Sequence, residues 1–136
     1  MIYHVIRMSI RPDVPAEKVQ EAMAAMQAAG GSAPTQAGLF GRDVGGEFDF
    51  SAVSAFETLE EYEAMMNHPA HLAIDRFGLP LVDRFVSFDV TDDPDPEIHE
   101  KIEAIHQRRF AAHPDIAELV SRIDYSGSAA PAPQRG

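Results

Sequence analysis

Ile2-Tyr3-His4-Val5-Ile6-Arg7-Met8-Ser9 is the stretch on which the fold turns. Ile2, His4, Ile6 and Met8 share one face and Tyr3, Val5, Arg7 and Ser9 the other, so the spacing predicts a half-buried strand. One imidazole then sits among apolar neighbours. Arg11-Pro12-Asp13-Val14-Pro15 ends the strand, and residues 16–29 carry Val19, Met23 and Met26 at helical spacing in a run of Ala, Gln, Glu and Lys. Gly30-Gly31 is the expected C-terminal cap of that helix. After a turn-rich stretch through Pro34, residues 37–44 and 47–56 read as two strands joined at Gly45-Gly46, a pair that tolerates the positive φ of a tight hairpin.

Thr58 and Glu61 match a capping box ahead of a helix bearing Leu59, Tyr62, Met65 and Met66. His68-Pro69-Ala70-His71 interrupts it, and Pro69 suits the first position of a second helical segment running towards Asp83, bent at Gly78 or Pro80. Residues 84–91 alternate again and read as a fourth strand. The order β, α, β, β, α, β specifies an α+β, ferredoxin-like arrangement: a four-stranded antiparallel sheet with two helices on one face.

Asp92-Asp93-Pro94-Asp95-Pro96 marks a boundary, with Asp95 as the expected cap of the next helix. Ile98, Ile102 and Ile105 give that helix a narrow apolar stripe, and a shorter helix follows over residues 114–123. This segment is too small to build its own core, so it is expected to pack on the barrel of the same or a neighbouring subunit. The organisation is therefore a barrel domain over residues 1–91, a helical extension over 92–125 and a flexible tail over 126–136.

The chain of 136 residues has no Cys, which excludes a disulfide scaffold and thiol chemistry, and its 45% hydrophobic content suits one packed domain. A formal charge of −11 with no basic run argues against nucleic acid. No apolar stretch is long enough to span a bilayer and no signal-like segment opens the chain, so the expectation is a cytoplasmic protein without a membrane partner.

Nucleophile-elbow, dinucleotide and P-loop signatures are missing, which leaves histidine as the group suited to proton exchange near neutral pH. His4 reads first as a core imidazole satisfied by one hydrogen bond, and His68 and His71 as caps of the second helical segment. His99, Glu103 and His106 fall at i, i+4 and i+7, a spacing that can converge on a metal, although a solvated polar face explains it equally well. Met23, Met26, Met65 and Met66 read as core filler or as the wall of an apolar pocket.

His4 on the first strand, Gly41-Arg42-Asp43-Val44, Ala55-Phe56-Glu57-Thr58, His68-Pro69-Ala70-His71 and Phe88-Asp89 together resemble the stress-responsive dimeric α/β barrel (Dabb) family over about residues 1–91. The resemblance implies a homodimer whose sheets form a barrel, each subunit keeping a cavity between sheet and helices. The family includes a plant polyketide cyclase that works without a cofactor. By its pattern His71 is catalytic and His4 lines the same cavity, whereas its two pocket tyrosines fall at Met26 and Met65, with Tyr62 one turn before Met65.

The resulting expectation is a small enzyme without cofactor, a cyclase, lyase or isomerase acting on an apolar carbonyl-bearing compound. His71 is the expected general base and His4 the group that donates to, or orients, the developing oxyanion. Ile6, Met8, Met23, Met26, Met65, Val82 and Phe85 are the expected substrate wall. The alternatives are a non-catalytic stress-response or ligand-binding protein and a cofactor-independent monooxygenase.

Overall fold

The computed structural model describes residues 1–30 and 37–127 and centres its sheet on the first strand. That strand, β1 (Ile2–Ile10), is flanked by β3 (Phe50–Phe56) and β4 (Val82–Thr91), both antiparallel to it. β2 (Ala37–Arg42) lies outside β3, and β5 (Asp124–Gly127) runs parallel outside β4. Five helices complete the described chain: α1 (Ala16–Gly30), α2 (Leu59–Met66), α3 (Pro69–Gly78), α4 (Ile98–Ala112) and α5 (Pro114–Ser121). The first ninety residues thus have the ferredoxin-like order that their patterning specifies. Gly31 of the expected cap, the turn through Pro34 and residues 128–136 of the expected tail lie outside the described residues.

Register sets which side chains meet. His4 pairs with Ser54 on β3 and Asp89 on β4, and Ile6 pairs with Ala52 and Ser87. Directly paired residues share a face of the sheet, so His4, Asp89, Ser54 and Ser87 all lie on the side that carries Ile2 and Met8. That side is buried. The opposite side leaves Tyr3 44%, Phe88 37% and Val90 55% exposed.

Two apolar clusters fill the space between sheet and helices, and the segment after residue 92 contributes to both. Ile102 and Ile105 of α4 pack with Ile2, Phe56, Tyr62 and Met66. Phe110, Ile116 and Val120 pack with Leu72 and Leu79. The extension therefore packs on its own chain, as an amphipathic segment without an independent core must do on some surface.

Local chemistry explains the helix starts. The Thr58 hydroxyl accepts from the Glu61 amide at 3.1 Å, and the Glu61 carboxylate accepts from the Glu57 amide at 3.0 Å. His68 caps α3, its Nδ1 accepting from the Ala70 amide at 3.1 Å, with Pro69 at the first helical position. Asp95 is not the cap of α4: its carboxylate accepts from the Glu97 amide at 2.9 Å, and the helix begins at Ile98 behind Glu97 without a side-chain cap.

Three boundaries differ from the sequence reading. Gly45-Gly46 does not form a two-residue hairpin; the ladder ends at Arg42 opposite Phe50, and the Asp43 amide donates to the Asp49 carbonyl at 3.0 Å. The wider loop, with Gly45 at φ 98°, lets the Phe48 ring lie 4.6 Å from the Arg7 guanidinium and 5.0 Å from that of Arg84. α3 stops at Gly78, a 3-10 turn (Leu79–Leu81) holds Pro80, and Val82 and Asp83 open β4 rather than close a helix. Ser126 and Gly127, read as the start of the tail, belong to β5. Gly127 has φ 133°, and a Cβ there would overlap the Ser87 carbonyl, so only glycine permits this close approach.

Candidate functional site

Between the sheet and the helices lies a cavity with about 140 Å3 open to the centres of water molecules. His4 reaches it from β1 and His71 from α3. Of the seven residues expected on its wall, Ile6, Met8, Met26, Met65, Val82 and Phe85 line it; among these, Met26 and Met65 stand at the two expected tyrosine positions. Met23 is half-buried on α1 and is not among the lining residues. The extension closes the remaining side with His106, Arg109, Phe110, Val120 and Tyr125.

Behind His4 is a dry polar cluster. His4 is 8% exposed, and its Nδ1 lies 2.9 Å from Asp89 Oδ1. A carboxylate only accepts, so Nδ1 carries the proton and Nε2 is the ring's remaining functional atom. The Tyr62 hydroxyl, 3.2 Å from the same Nδ1 and 2.7 Å from His106 Nε2, also bonds the Asp89 carboxylate. Burial first, and then the Asp89 carboxylate, push the Tyr62 hydroxyl far above its ordinary range, so it keeps its proton. Tyr62 does not line the cavity; it stands behind His4 and restores no pocket phenol.

His106 is pushed down to about 3, chiefly by burial and next by His4, and is a neutral imidazole near neutral pH. One consistent set of protons follows. His106 donates from Nε2 to the Tyr62 oxygen, Tyr62 donates to Asp89, and His4 donates to Asp89 from Nδ1. The opposite tautomer of His106 would bury an unpaired N–H, which is rarer in proteins than an unpaired acceptor.

His71 is backed differently. Its Nδ1 lies 3.2 Å from the carbonyl oxygens of both Met65 and Met66, at the end of α2. Both partners are acceptors, so Nδ1 again carries the proton, and Nε2 lies 3.7 Å from Asp75 Oδ1 one turn along α3. Burial pushes His71 below the ordinary histidine value, with Asp75 opposing that shift and Arg109 adding to it. Arg109, 5% exposed, donates from Nε to the Met66 carbonyl at 2.8 Å and from Nη2 to Asp75. The guanidinium therefore fixes both the helix end that holds His71 and the carboxylate beside it.

The three side chains whose spacing could converge on a metal do not come together. His99 is 78% exposed by side chain and 4.0 Å from Glu103, whereas His106 is turned inwards onto Tyr62. Among the described residues no group of three or more His, Cys, Asp or Glu side chains is placed to hold a metal ion.

Sequence reasoning missed Asp89, Asp75, Ser87 and Arg109. Each carries a signal. Asp89 and Ser87 are polar residues on the apolar face of β4, Asp75 follows His71 by four, and His106 and Arg109 extend the isoleucine stripe of α4 by four residues from Ile102 and Ile105.

Fold and cavity together define a ferredoxin-like α+β domain with a histidine pair on one internal cavity. Residues 2–92 match the stress responsive A/B barrel domain, Dabb, and the chain belongs to that family. Solved structures agree on the fold. The chain is similar to a dimeric ferredoxin-like protein of unknown function from Thermobifida fusca, with TM-score 0.61, 22% identity, 66% of this chain covered and 89% of that one. It is similar to a Dabb family protein from Mesorhizobium loti, with TM-score 0.60, 16% identity and coverage of 68% and 96%. It is also similar to a hydroxynitrile lyase from Passiflora edulis, with TM-score 0.59, 14% identity and coverage of 68% and 94%. No curated protein matches the chain. Among the described residues, no helix is long and apolar enough to cross a membrane.

Proposed function

We propose that the protein is an acid–base enzyme that needs no cofactor and removes a proton from the carbon next to a carbonyl group, as a cyclase, lyase or isomerase does. The observation that carries this reading is a pair of imidazoles on one apolar cavity, each with Nδ1–H held from behind and Nε2 left for a ligand. His71 is the base. Its lowered basicity keeps it unprotonated near neutral pH, and Asp75 stands beside the Nε2 that takes the proton. The electrons of the broken C–H bond move to the carbonyl oxygen, and the step needs a proton there: the form of His4 that acts carries one on Nε2 besides the one that Nδ1 gives to Asp89. The Passiflora hydroxynitrile lyase shows that a neighbour in fold space is a lyase, and it supports this reading only by analogy.

The same reading has two subunits meet through the open side of the sheet, where Tyr3, Phe88 and Val90 lie exposed. Dimeric neighbours support that assembly.

Proton abstraction is tested by following deuterium uptake at the methyl group of acetophenone in D2O by NMR. The wild type is expected to accelerate uptake, with an acid limb below pH 6.5 because His71 is pushed below that value. His71→Ala is expected to lose about 10²-fold or more. Equal uptake by wild type and His71→Ala, or no acceleration over imidazole buffer, overturns the proposal. Met26 and Met65 in place of phenols favour a second reading, an apolar-ligand binder without turnover, which predicts binding with no exchange.

A further inference from the structure

On the cavity walls stand polar atoms that find no hydrogen-bond partner among the described residues. Ser87 Oγ and His106 Nδ1 are buried without a hydrogen-bond partner. Both residues are 1% exposed and both line the cavity. An unmade hydrogen bond in such a place costs on the order of 1–3 kcal/mol, so a pair of them on one cavity points to a ligand that completes them.

Their chemistry is complementary. His106 spends its only proton, on Nε2, towards Tyr62, which stands outside the cavity, and so presents a lone pair at Nδ1. Ser87 presents a hydroxyl proton. The two residues also come from different parts of the chain: Ser87 from β4 inside the family domain, His106 from α4 beyond residue 92.

We propose that Ser87 and His106 form a recognition subsite for hydroxylated carbonyl compounds, a ligand hydroxyl donating to His106 Nδ1 and a ligand oxygen accepting the Ser87 proton. The inference rests on the reading of the cavity as a site for carbonyl compounds and adds which of them it selects. A ligand lacking the hydroxyl leaves His106 Nδ1 bare. Sites built to bond a ligand hydroxyl reject the analogue without it far more strongly than apolar pockets reject a missing methylene. α4 is then part of the specificity apparatus as well as of the packing.

The test is titration of the full chain with 3-hydroxyacetophenone and with acetophenone, followed by calorimetry. The wild type is expected to bind the hydroxylated ketone about tenfold or more tightly. In His106→Gln the amide replaces Nε2 against Tyr62 but puts nothing in the place of Nδ1. That variant is expected to bind both ketones with the affinity the wild type has for acetophenone. Ser87→Ala, a small change that preserves the strand, is expected to weaken both ketones alike and to keep the preference for the hydroxyl. Equal affinities in the wild type, failure of the wild type to bind either ketone, or a preference that survives in His106→Gln overturns the proposal. If His106→Gln does not fold, unchanged affinities in Ser87→Ala overturn it. A wild type that prefers the hydroxylated ketone but exchanges no proton keeps the subsite and sinks the acid–base reading, so the two failures are distinguishable.

Discussion

His4 and His71 reach one cavity from opposite kinds of surroundings. Behind His4 are a carboxylate, a phenol and a second imidazole, all away from solvent. Behind His71 are two main-chain carbonyls, and beside it is an ion pair whose Asp75 side chain is still 17% exposed. The first setting fixes a ring by a closed set of hydrogen bonds, in which any exchanged proton must be replaced at once. The second leaves a ring held on one side and reachable on the other, which suits a group that must take and release a proton. The contrast is one of solvent access and counter-charge.

The sharpest way to break the contrast is Arg109→Met. It leaves the Asp75 carboxylate and the Met66 carbonyl without their cation, and breaking one side of such a pair typically costs about 3–5 kcal/mol. A urea midpoint within error of wild type would show that the ion pair beside His71 is dispensable to the fold. On the drier side, Tyr62→Phe removes the hydroxyl that joins His106 to Asp89 and is expected to cost about 1–3 kcal/mol, read from the same denaturation curves. If Tyr62→Phe costs more than Arg109→Met, the ranking of the two clusters is reversed.

A third comparison sharpens the contrast through pH. His106 is held at about 3 when folded and returns to 6.5 when unfolded. Between those values the unfolded chain binds the proton and the folded one does not. The contribution of His106 is therefore complete above pH 6.5 and declines as pH falls towards 3. Stability followed by urea titration from pH 7 to 4 is expected to fall less steeply in His106→Gln than in the wild type. Parallel slopes would mean that His106 takes up its proton alike in the folded and unfolded chain.

Strand and helix order was legible because Ile2 to Ser9 and Arg84 to Thr91 alternate cleanly and Thr58 and Pro69 punctuate the helices. β5 was not legible, since Asp124-Tyr125-Ser126-Gly127 has no alternation of its own and forms a strand only because the edge of β4 is there to pair with. His4 and His71 were legible as candidates through the family pattern. Asp89 was visible as a residue but not as a partner, because its meeting with His4 is a matter of register, which no local window contains. Arg109 and His106 were hidden for a different reason. A polar residue extending an apolar stripe looks like its solvated end until the opposing wall supplies Met66, Asp75 and Tyr62.

α4 braces both histidines at once, through His106 on one side and Arg109 on the other. Cutting the chain back to the boundary of its family domain would accordingly do more than shorten it: Ile2, Phe56 and Met66 would meet water, and an acidic side chain would lose its counter-ion in the middle of the molecule. Designs that borrow this barrel as a minimal scaffold must carry the appended helix with it or rewrite the interior it covers.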